Sequence, residues 1–275
     1  MKYSILEIFD TETGERREIC RTDEHINAPF FHSDNELCYN AGGLIYRIRL
    51  DSGETCVTPT GSCTHSNNDH LFSPGGRYLA ISDEVPGIGS KIWLIDLQGE
   101  SEPRLLTPDT ICYLHGYSPD GKALLYTSKR NDTCDIYSLS IDGLEETRLT
   151  FGEGHNDGAE YSPDGRYIYF NSTRGGLMDC YRMDADGKIP VRLTGNGRNN
   201  WFPHISPDGT AVVYLSYSAE VQPYKHPPDK NVQLRMMNPD GTGDRCLLKL
   251  YGGQGTLNVN SWMPGGRYFA FVRYE

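Results

Sequence analysis

No run in this 275-residue chain approaches the roughly 18 consecutive apolar residues that would cross a membrane as a helix. The first residues, "MKYSILEIFDTETGE", turn acidic and polar without an apolar core or a small-residue cleavage site, so no secretory leader is expected and the cytoplasm is the expected compartment. Basic runs are also missing. With 26 Lys and Arg against 37 Asp and Glu the net charge is −11, a field that opposes binding to nucleic acid. No two of the eight cysteines form CxxC, and most sit in apolar strand patterns such as "ELCYN" and "MDCYRM". That spacing suits neither zinc nor a disulfide scaffold and reads as reduced thiols of a core. There is no GxGxxG, no GxxxxGK[ST] and no GxSxG, which removes dinucleotide sites, phosphate loops and the serine-hydrolase elbow.

What is present is turn chemistry and β-formers. Hydrophobic residues make up only 37%, while Gly 30, Pro 16 and Tyr 18 supply tight turns and aromatic strands. The stretch "YSPDGRYIYFNS" from Tyr161 returns as "YSPDGKALLYTS" from Tyr117, "ISPDGTAVVYLS" from Ile205, "FSPGGRYLAIS" from Phe72 and "WMPGGRYFAFV" from Trp262. The positions before the turn are Ser33 (a worn copy in "FFHSDNELCYN"), Ser73, Ser118, Ser162, Ser206 and Met263, spaced by 40, 45, 44, 44 and 57 residues. Each unit reads strand, corner, strand, loop, strand, turn, strand. Four antiparallel strands every 40–45 residues is the pattern of a propeller blade. Unbroken apolar runs such as Tyr167-Ile168-Tyr169-Phe170 mean sheets buried on both faces.

The last unit ends at "RYFAFVRYE", after two strands, and the first residues, "YSILEIFD" and "RREICR", supply two more. The expected fold is therefore an all-β six-bladed propeller, one domain over residues 1–275. Its blades are placed at about 24–60, 66–108, 111–152, 155–195, 199–250, and 256–275 with 3–22, the last blade closed by strands from both termini.

The unit "SPDGRYIYF…DIY…DG…RLT" resembles the WD40-like repeat of the TolB propeller family, whose relatives include the propellers of prolyl-oligopeptidase-type peptidases and of oligogalacturonate lyases. The resemblance runs over nearly the whole chain and implies the fold. It implies no single function, because one propeller serves many. Unlike TolB itself, a chain of this length is expected to hold no separate N-terminal domain.

Several residue sets bear on chemistry. Arg130 with Asp135 and Arg174 with Asp179 recur five apart in the loop between second and third strands and read as loop braces. His70 and His115 lie three residues before their corners, and Glu160 and His204 two before theirs, all on the innermost strand. These four are the candidate metal ligands; alternation sets His70 and His115 on the packing face with Phe72 and Tyr117. The loops "GSCTHSNNDH" (61–70), "GEGHNDG" (152–158), "GNGRNNWF" (195–202) and "GGQGTLNVNS" (252–261) should open on one face of the ring. The insertion "SYSAEVQPYKHPPDKNVQ" (216–233) should lie over the same face as an ordered flap carrying Tyr217, Tyr224, Lys225 and His226.

These features favour a soluble binding module over an enzyme, without deciding between them, and no cofactor is expected for it. A peptide, protein or small polar ligand would be held at the channel mouth by Asn67, Asp69, His155, Asn156, Asp157, Arg198, Asn200, Trp201, Tyr224 and His226. Two alternatives stay open. One is a metal-dependent lyase or hydrolase acting on an acidic or sugar substrate, with Glu160, His204, His155 and His115 as its site; the resemblance to oligogalacturonate lyases implies a divalent metal there. The other is a structural scaffold for partner proteins.

Overall fold

A computed structural model describes residues 3–99, 102–107 and 110–275; the end expected for the second blade at residue 108 lies outside the described residues. The strands form six antiparallel sheets. β1 (Ser4–Asp10) and β2 (Arg16–Thr22) precede β3 (Ile26–Ser33), β4 (Glu36–Ala41), β5 (Leu44–Arg49) and β6 (Thr55–Val57), which make the first complete blade. The second blade is β7 (Ser66–Phe72), β8 (Tyr78–Val85), β9 (Gly89–Asp96) and β10 (Arg104–Leu105). The third is β11 (Cys112–Tyr117), β12 (Ala123–Arg130), β13 (Thr133–Ser140) and β14 (Glu146–Arg148). The fourth is β15 (Asn156–Tyr161), β16 (Tyr167–Gly175), β17 (Leu177–Asp184) and β18 (Val191–Arg192). The fifth is β19 (Asn199–Ile205), β20 (Val212–Tyr217), β21 (Lys230–Met237) and β22 (Arg245–Gly252). β23 (Tyr268–Tyr274) belongs to the sixth blade, where it pairs with β1.

The corners have a local cause. In the third blade Ser118 Oγ donates to Asp120 at 2.6 Å and accepts the N–H of Ala123 at 2.9 Å, while the Gly121 N–H donates to Ser118 O at 2.8 Å. Gly121 stands at φ +72°, where a side chain would be strained. Ser162 and Ser206 repeat the arrangement with Asp164 and Asp208. The same few bonds thus turn one strand into the next in each of these three blades.

The sheets then stack face to face. One cluster joins Leu125 and Ile136 of the third blade to Ile168, Phe170 and Tyr181 of the fourth. Another joins Leu6, Ile8 and Val272 of the sixth to Ile26, Leu37 and Ile48 of the first. Each such side chain, fully buried, contributes about 1.5–3 kcal/mol. The first strands of successive blades, β3, β7, β11, β15 and β19, lie beside one another around the axis.

Closure runs through β1. It pairs with β2 on one side and with β23 on the other, Ser4 opposite Tyr274 and Phe9 opposite Phe269. Arg267 clamps Asp10, and Arg273 Nε reaches Glu7 Oε1 at 2.9 Å. The innermost member of this blade is reduced to a bridge between Trp262 and Phe269.

A second lock joins blades three to five, and it corrects the expected Arg–Asp braces. Asp135 does not meet Arg130. Its Oδ2 accepts from Arg148 at 2.7 Å, and its Oδ1 accepts from Thr150 Oγ1 at 2.8 Å and from Asn156 of the next blade at 3.1 Å. Asp179 repeats this with Arg192, with Thr194 at 2.7 Å and with Asn200 of the following blade at 3.2 Å. The residues opposite the two aspartates across the hairpin are Ser128 and Ser172, so the arginines lie two positions along. Arg130 pairs with Glu146 at 2.6 Å and Arg174 with Glu153 at 3.1 Å instead.

Deleting residues 1–22 strips β23 of its partner and should abolish the cooperative melt, monitored by circular dichroism and light scattering. Retention of the wild-type transition to within roughly 5 °C would contradict a ring that needs its closing strand. Asp179→Ala leaves Thr194 and Asn200 without their buried acceptor and should cost about 3 kcal/mol in urea denaturation. Arg166→Ala, which breaks an exposed pair with Asp164, should change stability by less than about 1 kcal/mol.

Candidate functional site at the channel mouth

Every first strand of the five complete blades carries a bulge, between Asn27 and Phe30, Ser66 and His70, Leu114 and Gly116, Asp157 and Glu160, and Trp201 and His204. At three of them the backbone is left-handed, with φ +49° at Ala28, +62° at Gly158 and +57° at Phe202. An extra residue breaks simple alternation, so side chains beyond it change face. This overturns the expected placement of His115 on the packing face beside Tyr117. Its ring lines a cavity of about 460 Å³ at the mouth of the channel. His70, by contrast, is packed as expected: it is fully buried against Phe30, with Nε2 3.0 Å from Ala28 O. Burial lowers its pKa to about 4, so it is neutral.

The cavity centres on Asp157. Its Oδ1 is 2.7 Å from His115 Nε2 and accepts the Gly158 N–H at 2.9 Å, while its Oδ2 lies 3.6 Å from His155 Nε2. Burial alone would lower both imidazoles. The Asp157 carboxylate overcomes it, raising His115, and together with neighbouring Cys134 takes His155 up to about 10. Burial likewise opposes ionisation of Asp157, but the two histidines hold it well below the usual carboxylate range.

Asp69 lines the same cavity and is treated differently. It is 6% exposed, and its carboxylate accepts no hydrogen bond from any described residue. Burial pushes its pKa up to about 7; His115 opposes the rise, and Asp157 and Glu84 add to it. Its position is fixed from behind: its N–H donates to Asn67 Oδ1 at 2.9 Å, and Asn67 Nδ2 donates to Ser90 Oγ at 3.1 Å.

The insertion between β20 and β21 is an ordered flap over this mouth. Asn199 Nδ2 donates to Val221 O at 2.8 Å, the Lys225 N–H to Gln222 O at 2.9 Å, and the Gln254 N–H to Pro227 O at 3.3 Å. His226 lies edge-on to Trp201 and Phe202, with centroids 4.4 and 5.1 Å apart, and burial lowers its pKa. Tyr224 is 54% exposed at the rim. Tyr217 is not part of the cover; it is fully buried in β20, its hydroxyl donating to Pro227 O at 3.2 Å.

Of the ten expected contact residues, Asn67, Asp69, His155, Asp157, Tyr224 and His226 come together here. Four stand elsewhere. Asn156 and Asn200 are fully buried rivets between blades, bonded to Asp135 and Asp179. Trp201 is fully buried beneath His155 and His226. Arg198 donates to Ser216 Oγ at 2.9 Å and faces a separate groove near Lys249.

The four candidate metal ligands do not gather either. Glu160 Oε2 is 2.8 Å from His204 Nδ1, and the pair is finished by Asn260 on Glu160 Oε1 and by Leu257 O, 3.3 Å from His204 Nε2. Among the described residues no group of three His, Cys, Asp or Glu side chains is arranged to hold a metal ion. Lining residues not foreseen include Tyr113, Phe202, Glu84 and Cys134. Tyr113, two positions before His115, lies within reach of a strand-period argument; Phe202, a buried ring brought to the cavity wall where its backbone is left-handed, does not.

The acidity of Asp69 is open to measurement. Its pKa rises from 3.8 to about 7 on folding, so its contribution to stability is complete below the unfolded value and is lost as pH rises through the folded one. Asp69→Asn removes that loss. The melting temperature of the variant relative to wild type should climb between about pH 4 and about pH 8, reaching at most a few kcal/mol in equivalent stability; a flat difference would contradict the buried, donor-free carboxylate.

Comparison with known proteins agrees with this architecture. Residues 116–226 match the TolB beta propeller domain. The uncharacterized protein Atu1656 of Agrobacterium fabrum is 45% identical over 273 residues, covering 98% of this chain and 92% of its own length. A solved structure from Agrobacterium tumefaciens, named provisionally as TolB, superimposes with a TM-score of 0.95 at 44% identity over 100% of this chain and 99% of that one. TolB from Acinetobacter baumannii shares the fold, with a TM-score of 0.71 at 22% identity over 92% of this chain and 64% of its own. Among the described residues no helix is long and apolar enough to cross a membrane. The chain belongs to the TolB β-propeller family.

Proposed function

We propose that this propeller is a binding module whose channel mouth takes up a peptide or another small polar ligand without covalent chemistry. One observation carries the reading: a cavity of about 460 Å³ beneath an ordered flap, with polar groups already fixed in it. Concave sites of this size, part apolar and part polar, are where ligands are held, and fixed groups lower the ordering cost of binding. Tyr113 and Tyr224 supply apolar surface, while Asp157, His155 and Asp69 supply directional contacts.

A lyase or hydrolase built on Glu160 and His204 has less behind it. Those side chains are bonded to each other, to Asn260 and to Leu257, and do not line the cavity. The cytoplasm is the compartment we propose, since all eight cysteines are free thiols, as a reducing environment would keep them.

The test is a selection of displayed random heptapeptides on the wild-type protein, repeated with His155→Gln and Tyr224→Ala. Retained peptides should lose about tenfold or more in affinity for either variant; Tyr224→Ala should melt within roughly 3 °C of wild type, while His155→Gln, which takes a partner from Asp157, is assayed well below its own melting temperature. Peptides that bind both variants as tightly as wild type would move the partner surface elsewhere on the ring. Trp201 is not a suitable probe, because truncating so large a buried ring would destabilise the blade.

A further inference from the structure

We infer that Asp69 is the anchor for a protonated amino group, so that the ligand of the mouth carries a primary ammonium such as a peptide N-terminus or a lysine side chain. The inference rests on the reading of this mouth as a ligand site and adds the chemistry of what enters.

The cavity holds two buried carboxylates in opposite conditions. Asp157 is fully served by His115, His155 and the Gly158 N–H. Asp69 receives no donor among the described residues although it is only 6% exposed. A carboxylate this enclosed, open only to the cavity, is thinly hydrated, and a donor brought by a ligand recovers part of that loss. Neighbouring donors are engaged elsewhere: Lys129, which also lines the cavity, lies 3.6 Å from Asp132. The His115 nitrogen nearest an acid is committed to Asp157 at 2.7 Å, and Asn67 faces Ser90 and the Asp69 backbone. The carboxylate is thus left free for what enters the cavity.

Three features select an ammonium among donors. A cation restores the charge balance of a desolvated carboxylate, and such charge-assisted bonds are about twice as strong as neutral ones. The partly exposed ring of Tyr113 lines the same cavity and offers a cation an aromatic face. The chain as a whole carries −11, which draws cations toward the ring and repels anions. A metal ion is disfavoured by the donor set, since the second carboxylate is already occupied by two imidazoles and no third ligand joins Asp69 among the described residues.

The probes are n-butylamine and its anionic counterpart butyrate, titrated into the intact protein at about pH 8 and monitored by calorimetry and by the ¹³Cγ resonance of Asp69. Butylamine should bind saturably and shift that resonance, butyrate should not, and Asp69→Asn should weaken the amine at least about tenfold. Tyr113→Ala, an independent change at a partly exposed ring, should weaken the amine several-fold without altering the melt. Amine binding that survives Asp69→Asn overturns the assignment. Preference for butyrate also overturns it, while leaving the mouth a ligand site. Binding of neither probe overturns it too, and the heptapeptide selection then decides about the mouth separately.

Discussion

A sheet that is apolar on both faces cannot exist by itself in water, and every blade of this chain is such a sheet. Ile168 and Phe170 on β16, or Leu6 and Ile8 on β1, are buried only because another sheet lies against them. Stacking in a line would leave the two end sheets bare, so the stack must return on itself. The ring thus hangs on the register between β1 and β23, in which seven residues from the start of the chain face seven from its end. That pairing is the contact of greatest sequence separation in the molecule and must form late, after the loop of nearly the entire chain has closed.

Hydrophobic stacking alone does not define how each blade is rotated against the next. The Asp135 and Asp179 locks supply that definition. Each places a carboxylate at the point where the third and fourth strands of one blade meet the first strand of the following blade, and each is reached by an asparagine from across the gap. Apolar faces slide; a buried carboxylate with several fixed donors does not. In the second blade Lys91 takes the place of the aspartate and turns to Thr110 O, 2.7 Å away, so this blade is joined differently to its successor. Where the lock is absent, the neighbouring first strand carries Tyr113 and His115, which line the mouth.

The repeat makes the ring readable from residues. The SPDG corners, the spacing near 44 and the incomplete last unit together require six sheets with a shared sixth, and the chain forms six. Asn67 and Asp69 on β7, Asp157 on β15 and His155 just before it meet at one mouth, as strands of alternating direction demand. The departures have a common physical origin. Bulges in the first strands cannot be seen in a sequence whose inserted residues are as ordinary as Ala28 and Phe202, and each bulge changes the face of the residues beyond it. Simple alternation therefore misplaces His115. The polar residues of a recurring loop are likewise ambiguous: Asn156 and Asp157 are adjacent, yet one fastens blades and the other faces the cavity. Arg130 and Asp135 rise and fall together along the chain, but each is bonded to a different partner.

The electrostatics of the mouth come from how donors are shared between its two acids. By giving His115, His155 and a backbone N–H to Asp157, the fold makes one rigid ion cluster and leaves a second carboxylate without internal company. Such an arrangement persists only if the rest of the ring supplies the stability that this residue withholds. The six stacked sheets do so, and because Asn67 and Ser90 belong to the strands themselves, the unserved acid stands on a rigid wall rather than a mobile loop. A site held this way is open to a cation without having to rearrange for it, which is the physical advantage of building recognition on the inner edge of a closed ring.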